Sequence, residues 1–250
     1  DSSLSIIGGS AFQNNDISSL RIPNSVTTIG NNAFEDNSIN SLIFDDDSSL
    51  STIGNNAFQN NDISSLSIPN SVTEIGIAAF KNNEITSLII GNSVTSIQNN
   101  AFSDNPNLSD VIMPYVLSNR INSIFNSNPL PTIKYNLLIT DNVTTIGINE
   151  YKNKNLVSVT IPKSVTEIGN GAFFTNIINS LTFEDGSSLL TIDESAFYSN
   201  KITSLRIPNS VTEIGITAFQ DNDISSLTFE HDSSLSIIRR SAFQNNQITS

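Results

Sequence analysis

The residues able to do chemistry in this sequence are few and poorly placed for catalysis. His231 is the only histidine and the chain has no cysteine, so neither a thiolate–imidazole metal cage nor a histidine-based triad can be assembled. Carboxylates gather at Asp45-Asp46-Asp47, at Glu184-Asp185 and beside the histidine at Glu230 and Asp232. Oxygen-rich turns of this kind suit Ca²⁺, but their spacing follows no calcium-loop pattern and they read as solvated edge turns. No phosphate-cradling glycine loop, nucleophile elbow or metal-ligand spacing occurs. The chain therefore reads as non-enzymatic, with no cofactor and no metal. Asn107 and Asn142 head two glycosylation sequons, a number that chance supplies in a sequence so rich in Asn, Ser and Thr. A column of hydroxyls (Thr27, Thr73, Thr95, Thr144, Thr166 and Thr212, with Ser51 and Ser236) could order water and bind ice if it lay on a flat face. Glu74, Glu167 and Glu213 interrupt it, and hydrogen bonding between copies of a repeat is the plainer account.

What positions these residues is a repeat. Eleven aromatic marks (Phe12, Phe34, Phe58, Phe80, Phe102, Phe125, Tyr151, Phe173, Phe197, Phe219 and Phe243) recur every 22 to 26 residues. Ala precedes nine of them; Ile124 and Glu150 break the column. Asn follows three residues after ten of them, and Lys154 stands in the eleventh place. Then comes Ile/Leu-x-x-Leu-x-Ile, as at 17–22, 63–68 and 202–207, a turn that is often Pro-Asn-Ser, and a second apolar pair such as Val26/Ile29 or Val211/Ile214. A Gly follows that pair in most copies. Two unit lengths alternate, and the longer carries two extra residues in an acidic, Ser-rich loop, as at 44–54.

The alternation Leu20-Arg21-Ile22 predicts a short strand with two side chains inward and one outward. A unit so small buries nothing alone, so copies must stack and pair their strands in parallel. The aromatic column then predicts an internal stack, with small Ala allowing close approach. The Asn column predicts a ladder that caps backbone groups in the turn before each strand. The Gly column predicts either a positive-φ corner or close packing of one coil on the next.

Residues 65–83, SLSIPNSVTEIGIAAFKNN, resemble the BspA-like class of leucine-rich repeats almost position for position, with Asn83 where that class often has Cys. The resemblance covers nearly the whole chain. It implies a repeat solenoid of about 11 coils, with short parallel β-strands on the concave face and turns and short extended or helical segments on the convex side. It also implies an extracellular or cell-surface setting and a role in adhesion.

Composition narrows the partners. With 11 Lys and Arg against 24 Asp and Glu the net charge is −13, which repels a phosphate backbone and excludes nucleic acid. No apolar run approaches the roughly 20 residues that span a bilayer. Residues 1–250 read as one solenoid, a fragment of a longer array, because Asp1 enters in mid-repeat, Ser250 stops short of a strand and neither end carries a capping element. Such ends also predict end-to-end self-association. From 103 to 155 the repeat degenerates, with an insertion at 126–136 that contains Pro129 and Pro131. The outward residue of each strand runs Arg21, Ile43, Ser67, Ile89, Ile112, Leu138, Thr160, Thr182, Arg206, Thr228. Ile89, Ile112 and Leu138, with Tyr115 and Tyr135 close in sequence, are the candidate binding patch for a protein or glycan on the concave face. The other readings are a stiff spacer or self-associating rod roughly 50 Å long and an ice-binding solenoid.

Overall fold

The computed structural model describes residues 3–129 and 131–249. Asp1, Ser2, Leu130 and Ser250 lie outside the described residues, and with them the two chain ends and one position of the 126–136 insertion. The chain winds as a β-solenoid of about 11 turns with little helix. It divides into two compact units, Asp1–Lys134 and Tyr135–Ser250.

Most coils of the first unit contribute strands to two sides, paired in parallel from coil to coil. The first sheet carries the predicted strands. Ser19–Ile22 pairs with Ser41–Phe44, and Ser65–Ser67 pairs with Ser87–Ile89, which pairs with Asp110–Pro114. Register places like on like: Leu20 meets Leu42, and Leu66, Leu88 and Val111 line up across three strands. Leu42, Leu66, Leu88 and Val111 are buried and Leu20 is half-buried; a one-residue slip would expose the whole row. The proline after the strand opens a tight turn, its carbonyl accepting the N–H three residues on, from Pro23 to Val26 and from Pro69 to Val72. The second sheet joins five two-residue strands, Ile6–Ile7, Thr28–Ile29, Thr52–Ile53, Glu74–Ile75 and Ser96–Ile97. The second unit repeats the plan. Tyr135–Leu138 of the strand Thr132–Leu138 pairs with Leu156–Ile161, which pairs with Ser180–Phe183; Ser204–Ile207 pairs with Ser226–Phe229. Its second sheet runs from Thr145–Ile146 to Ile237–Ile238.

The third side of each coil is a turn around Ala-Phe with left-handed backbone at both ends, as at Asn32 (φ 60°) and Asp36 (φ 56°). These turns donate forward: Asn32, Phe34 and Asp36 N–H bond the carbonyls of Asn55, Ala57 and Gln59. Residues just after the strands donate backward at Gly30 N–H to Ile7 O and Asp45 N–H to Ile22 O, and forward at Ile68 N–H to Ile89 O and Ile90 N–H to Ile112 O. Of the two expectations for the Gly column, close packing is observed and the positive-φ corner is not. A β-carbon on Gly30 would stand 2.6 Å from the Gly9 nitrogen, and on Gly76 2.6 Å from that of Asn55. The left-handed positions fall mostly to Asn, Asp and Ser, whose short polar side chains tolerate them, although Ala78, Thr175 and Thr217 hold them too.

Between the three sides lies the core. Phe12, Phe34, Phe58, Phe80 and Phe102 stack at 5.2–5.3 Å between centroids, with Phe125 following at 5.9 Å. Tyr151, Phe173, Phe197, Phe219 and Phe243 stack likewise in the second unit. The Asn ladder forms as the sequence predicts. Asn61 donates to the carbonyls of Phe34 in the preceding coil (2.9 Å) and Phe58 in its own (3.2 Å), while its oxygen accepts the Ile39 N–H (3.0 Å). Asn83, Asn105, Asn200 and Asn222 repeat the scheme.

The repeat holds through Asp110–Pro114, beyond residue 103 where the sequence pattern weakens, and departs at Tyr115, before the 126–136 insertion. After Asp110–Pro114 the chain forms a 3₁₀ helix, Tyr115–Arg120, and one α-helical turn, Ile121–Ile124, in place of a second-sheet strand. Leu117, Ile124 and Phe125 are buried and anchor it.

Candidate binding surface

In the first unit the outward side of the first sheet presents two rows of side chains in register. One is hydroxylic: Ser19, Ser41, Ser65 and Ser87, with Asp110 in register after Ser87. The other is Arg21, Ile43, Ser67, Ile89 and Ile112. Ile43 is 48% exposed and Ile89 44%, whereas Ile112 is half-buried. The structure brings Ile89 and Ile112 together as register partners. Tyr115 opens the 3₁₀ helix two residues beyond Met113 and is half-buried. Lys134, half-buried, reaches Asp110 at 2.8 Å.

In the second unit Leu138 is 61% exposed and sits in register with Thr160, which pairs with Thr182. Tyr135 is half-buried and lies at a register shift between Tyr135 and Asn136, where the strand leaves strict alternation. The remaining outward positions here are polar, Arg206 beside Thr228.

The serines of this face differ from the other hydroxyls of the coil. Thr27, Ser51, Thr73, Thr166, Thr212 and Ser236 donate to carbonyls of the preceding coil, as does a second column of Thr86, Ser109, Ser225 and Thr249. Hydrogen bonding along the stack therefore accounts for these members of the hydroxyl column. The side chains of Ser19, Ser41, Ser65 and Ser87 have no hydrogen-bond partner among the described residues.

The acidic loops are wired into the fold in part. Asp45 is ion-paired to Arg21. Glu184 accepts the Lys163 N–H and Glu230 the Asn209 N–H, both at 3.1 Å. Arg206 bridges Asp185 (3.6 Å) and Glu230 (3.2 Å). Among the described residues no group of three or more His, Cys, Asp or Glu is arranged to hold a metal ion. The loop at 44–48 also overhangs the next strand and forms a cleft of about 580 Å³; the sequence reading missed it, because a cleft arises where neighbouring coils differ. Elsewhere the charged groups are mutually tuned. Burial, with Glu167 and Glu213 adding to it, raises the Asp193 carboxyl above its ordinary range. A hydrogen bond from Tyr198 lowers Asp221, and the same bond raises the Tyr198 phenol.

The signature of the BspA type leucine-rich repeat region, in six copies, matches residues 5–131 and again 122–249. The chain belongs to the BspA-type leucine-rich repeat family. No match is found among curated proteins. Similar solved structures include the pneumococcal vaccine antigen PcpA, 20% identical over 99% of this chain and 74% of that one, with a TM-score of 0.45. A leucine-rich repeat protein from Eubacterium ventriosum is 20% identical over 100% and 82%, with a TM-score of 0.44. Another from Bacteroides ovatus is 21% identical over 96% and 80%, with a TM-score of 0.42. Among the described residues no helix is long and apolar enough to cross a membrane.

Proposed function

We propose that this BspA-type repeat chain is a non-enzymatic recognition module that binds a protein or glycan at an extracellular or cell-surface location, through the outward side of its first sheet. One observation carries the reading: exposed isoleucines stand beside serine hydroxyls that the fold leaves unspent, whereas the comparable hydroxyls of the other columns are used in stacking. Apolar side chains interleaved with uncommitted donors and acceptors suit a ligand that offers both kinds of group. In the first unit the working strip is Ile89 and Ile112 with Tyr115 at its margin; in the second, Leu138 and Tyr135 occupy the corresponding part of the sheet.

The test is a glycan array and a panel of immobilised extracellular-matrix proteins, probed with the wild-type chain and with Ile89→Asp, Ile112→Asp and Leu138→Asp. A folded variant that loses at least tenfold in binding supports the assignment. Binding unchanged in all three variants overturns it. A spacer role is the second reading, favoured by the Asn ladder and the aromatic stack, which tie coil to coil within each unit. It predicts no ligand on either panel and a high unfolding force in single-molecule pulling.

A further inference from the structure

We propose that the cleft beside the 44–48 loop is a pocket for an arginine side chain of a partner protein. The loop carries the two extra residues of the long repeat and overhangs the strand Ser65–Ser67 of the next coil. Ile43, Phe44 and the three aspartates wall the resulting space of about 580 Å³, and Ser67 lies across from them. Asp45 is held by Arg21. Asp46 and Asp47 are exposed and pair with no cation among the described residues.

The chain contains an internal replicate of this site with its occupant in place. Residues 181–187, LTFEDGS, repeat 42–48, LIFDDDS. Residues 204–210, SLRIPNS, repeat 65–71, SLSIPNS, with a single difference: Arg206 stands where Ser67 stands. The Arg206 guanidinium reaches Asp185, the counterpart of Asp46, at 3.6 Å and Glu230 at 3.2 Å. One copy of the loop thus holds a guanidinium supplied by the chain itself. The other has a serine in that position, an open cleft and an additional carboxylate, Asp47 in place of Gly186. A planar guanidinium matches paired carboxylate oxygens, and its methylene stem packs on Ile43 and Phe44. The net charge of −13 steers a cationic partner toward the chain.

The assignment rests on the cleft and not on the isoleucine strip, so the two fail separately. Its test is an NMR titration of the ¹⁵N-labelled chain with acetyl-Gly-Arg-Gly-amide, with the Gln analogue of the peptide and CaCl₂ in parallel. The arginine peptide is expected to shift the amides of Asp46, Asp47, Ser67 and Asn70 in a one-site, salt-sensitive manner. Ser67→Arg fills the cleft from within and abolishes the shifts. Arg206→Ser empties the replicate and adds a second set at Asp185 and Gly186. Shifts of equal size with the Gln peptide, shifts that persist in Ser67→Arg, no shifts at all, or a response to CaCl₂ alone would each overturn the proposal.

Discussion

Replacing Asn105 with Ala is expected to cost about 1–3 kcal/mol of stability, a loss set by a backbone group that the side chain never shares with solvent. Asn105 is 0% exposed. Its amide donates to the carbonyls of Phe80, Phe102 and Ser103, each at 3.1 Å, and its oxygen accepts the Ile85 N–H at 3.1 Å. Ser103 O also receives the Asn82 N–H, Phe80 O the Asn83 amide and Phe102 O the Asn128 amide, so alanine orphans one group outright, the N–H of Ile85. A buried orphan costs about 1–3 kcal/mol, and the two Phe carbonyls keep one bond each. For a chain of this size that lowers Tm by about 2–12 °C, readable by calorimetry or circular dichroism. Asn15 supplies the control, since it is exposed and its amide bonds only Gln13 O; Asn15→Ala is expected to cost under about 0.5 kcal/mol. Asn105→Asp keeps the size but sets a carboxylate against carbonyls. Its carboxyl should therefore titrate above the ordinary range, with a penalty that is full at pH 7 and shrinks as pH falls and the proton restores one donor. If Asn105→Ala and Asn15→Ala cost the same, the ladder is ornament and the reasoning is wrong.

Three further outcomes follow from the coil geometry. Gly76→Ala places a methyl 2.6 Å from Asn55 backbone and side-chain atoms and should cost at least about 1–3 kcal/mol by overpacking, whereas Gly8→Ala, with nothing within 4 Å, should be near neutral in urea melts. Thr175 holds φ 52° with a β-branched side chain, so Thr175→Gly should stabilise by about 0.5–1 kcal/mol, the relief of left-handed strain less the entropy glycine gains on unfolding; an unchanged or lower urea midpoint would count against that strain. The Asp193 carboxyl is raised, first by burial and then by Glu167 and Glu213. The native state thus favours its proton, and stability is lost as pH rises through the folded pKa. Asp193→Asn should raise Tm at pH 7 and leave it unchanged at pH 3, and an equal shift at both pH values would point to packing instead.

How far the sequence carried depends on whether a feature repeats. The Phe, Ala and Asn columns were legible because each occurs in nine or more coils, and a periodic signal that strong overrides local ambiguity. The glycine column was legible only as a choice, since both roles use the absence of a side chain; the distances to Gly9 and Asn55 decide it. The left-handed turns had a signal that went unused: Asn32 and Asp36, Asn56 and Asn60, Asn100 and Asp104 are four apart in each coil, residue types that tolerate positive φ. The helix at 115–124 also had one. Leu117, Ile121, Ile124 and Phe125 follow the i, i+4, i+7, i+8 spacing of a helix face, hidden because the stretch was read as a failed repeat and not as a segment in its own right.

The candidate sites divide along the same line. An exposed isoleucine on alternate strand positions can be read from one repeat, because strand geometry alone turns Ile43, Ile89 and Leu138 outward. A cleft cannot, because it is the difference between two adjacent coils: a long loop at 44–48 beside a short turn at 69–71 whose strand ends in Ser67. In a repeat protein the consensus specifies the scaffold, and stacking consumes nearly every donor and acceptor that the consensus supplies. Specificity must therefore come from departures that the scaffold tolerates on its outward side. The substitution of Ser for Arg between positions 206 and 67 is such a departure: it opens a charged cleft on the outward sheet and leaves the inward rows, the Asn ladder and the aromatic stack unchanged.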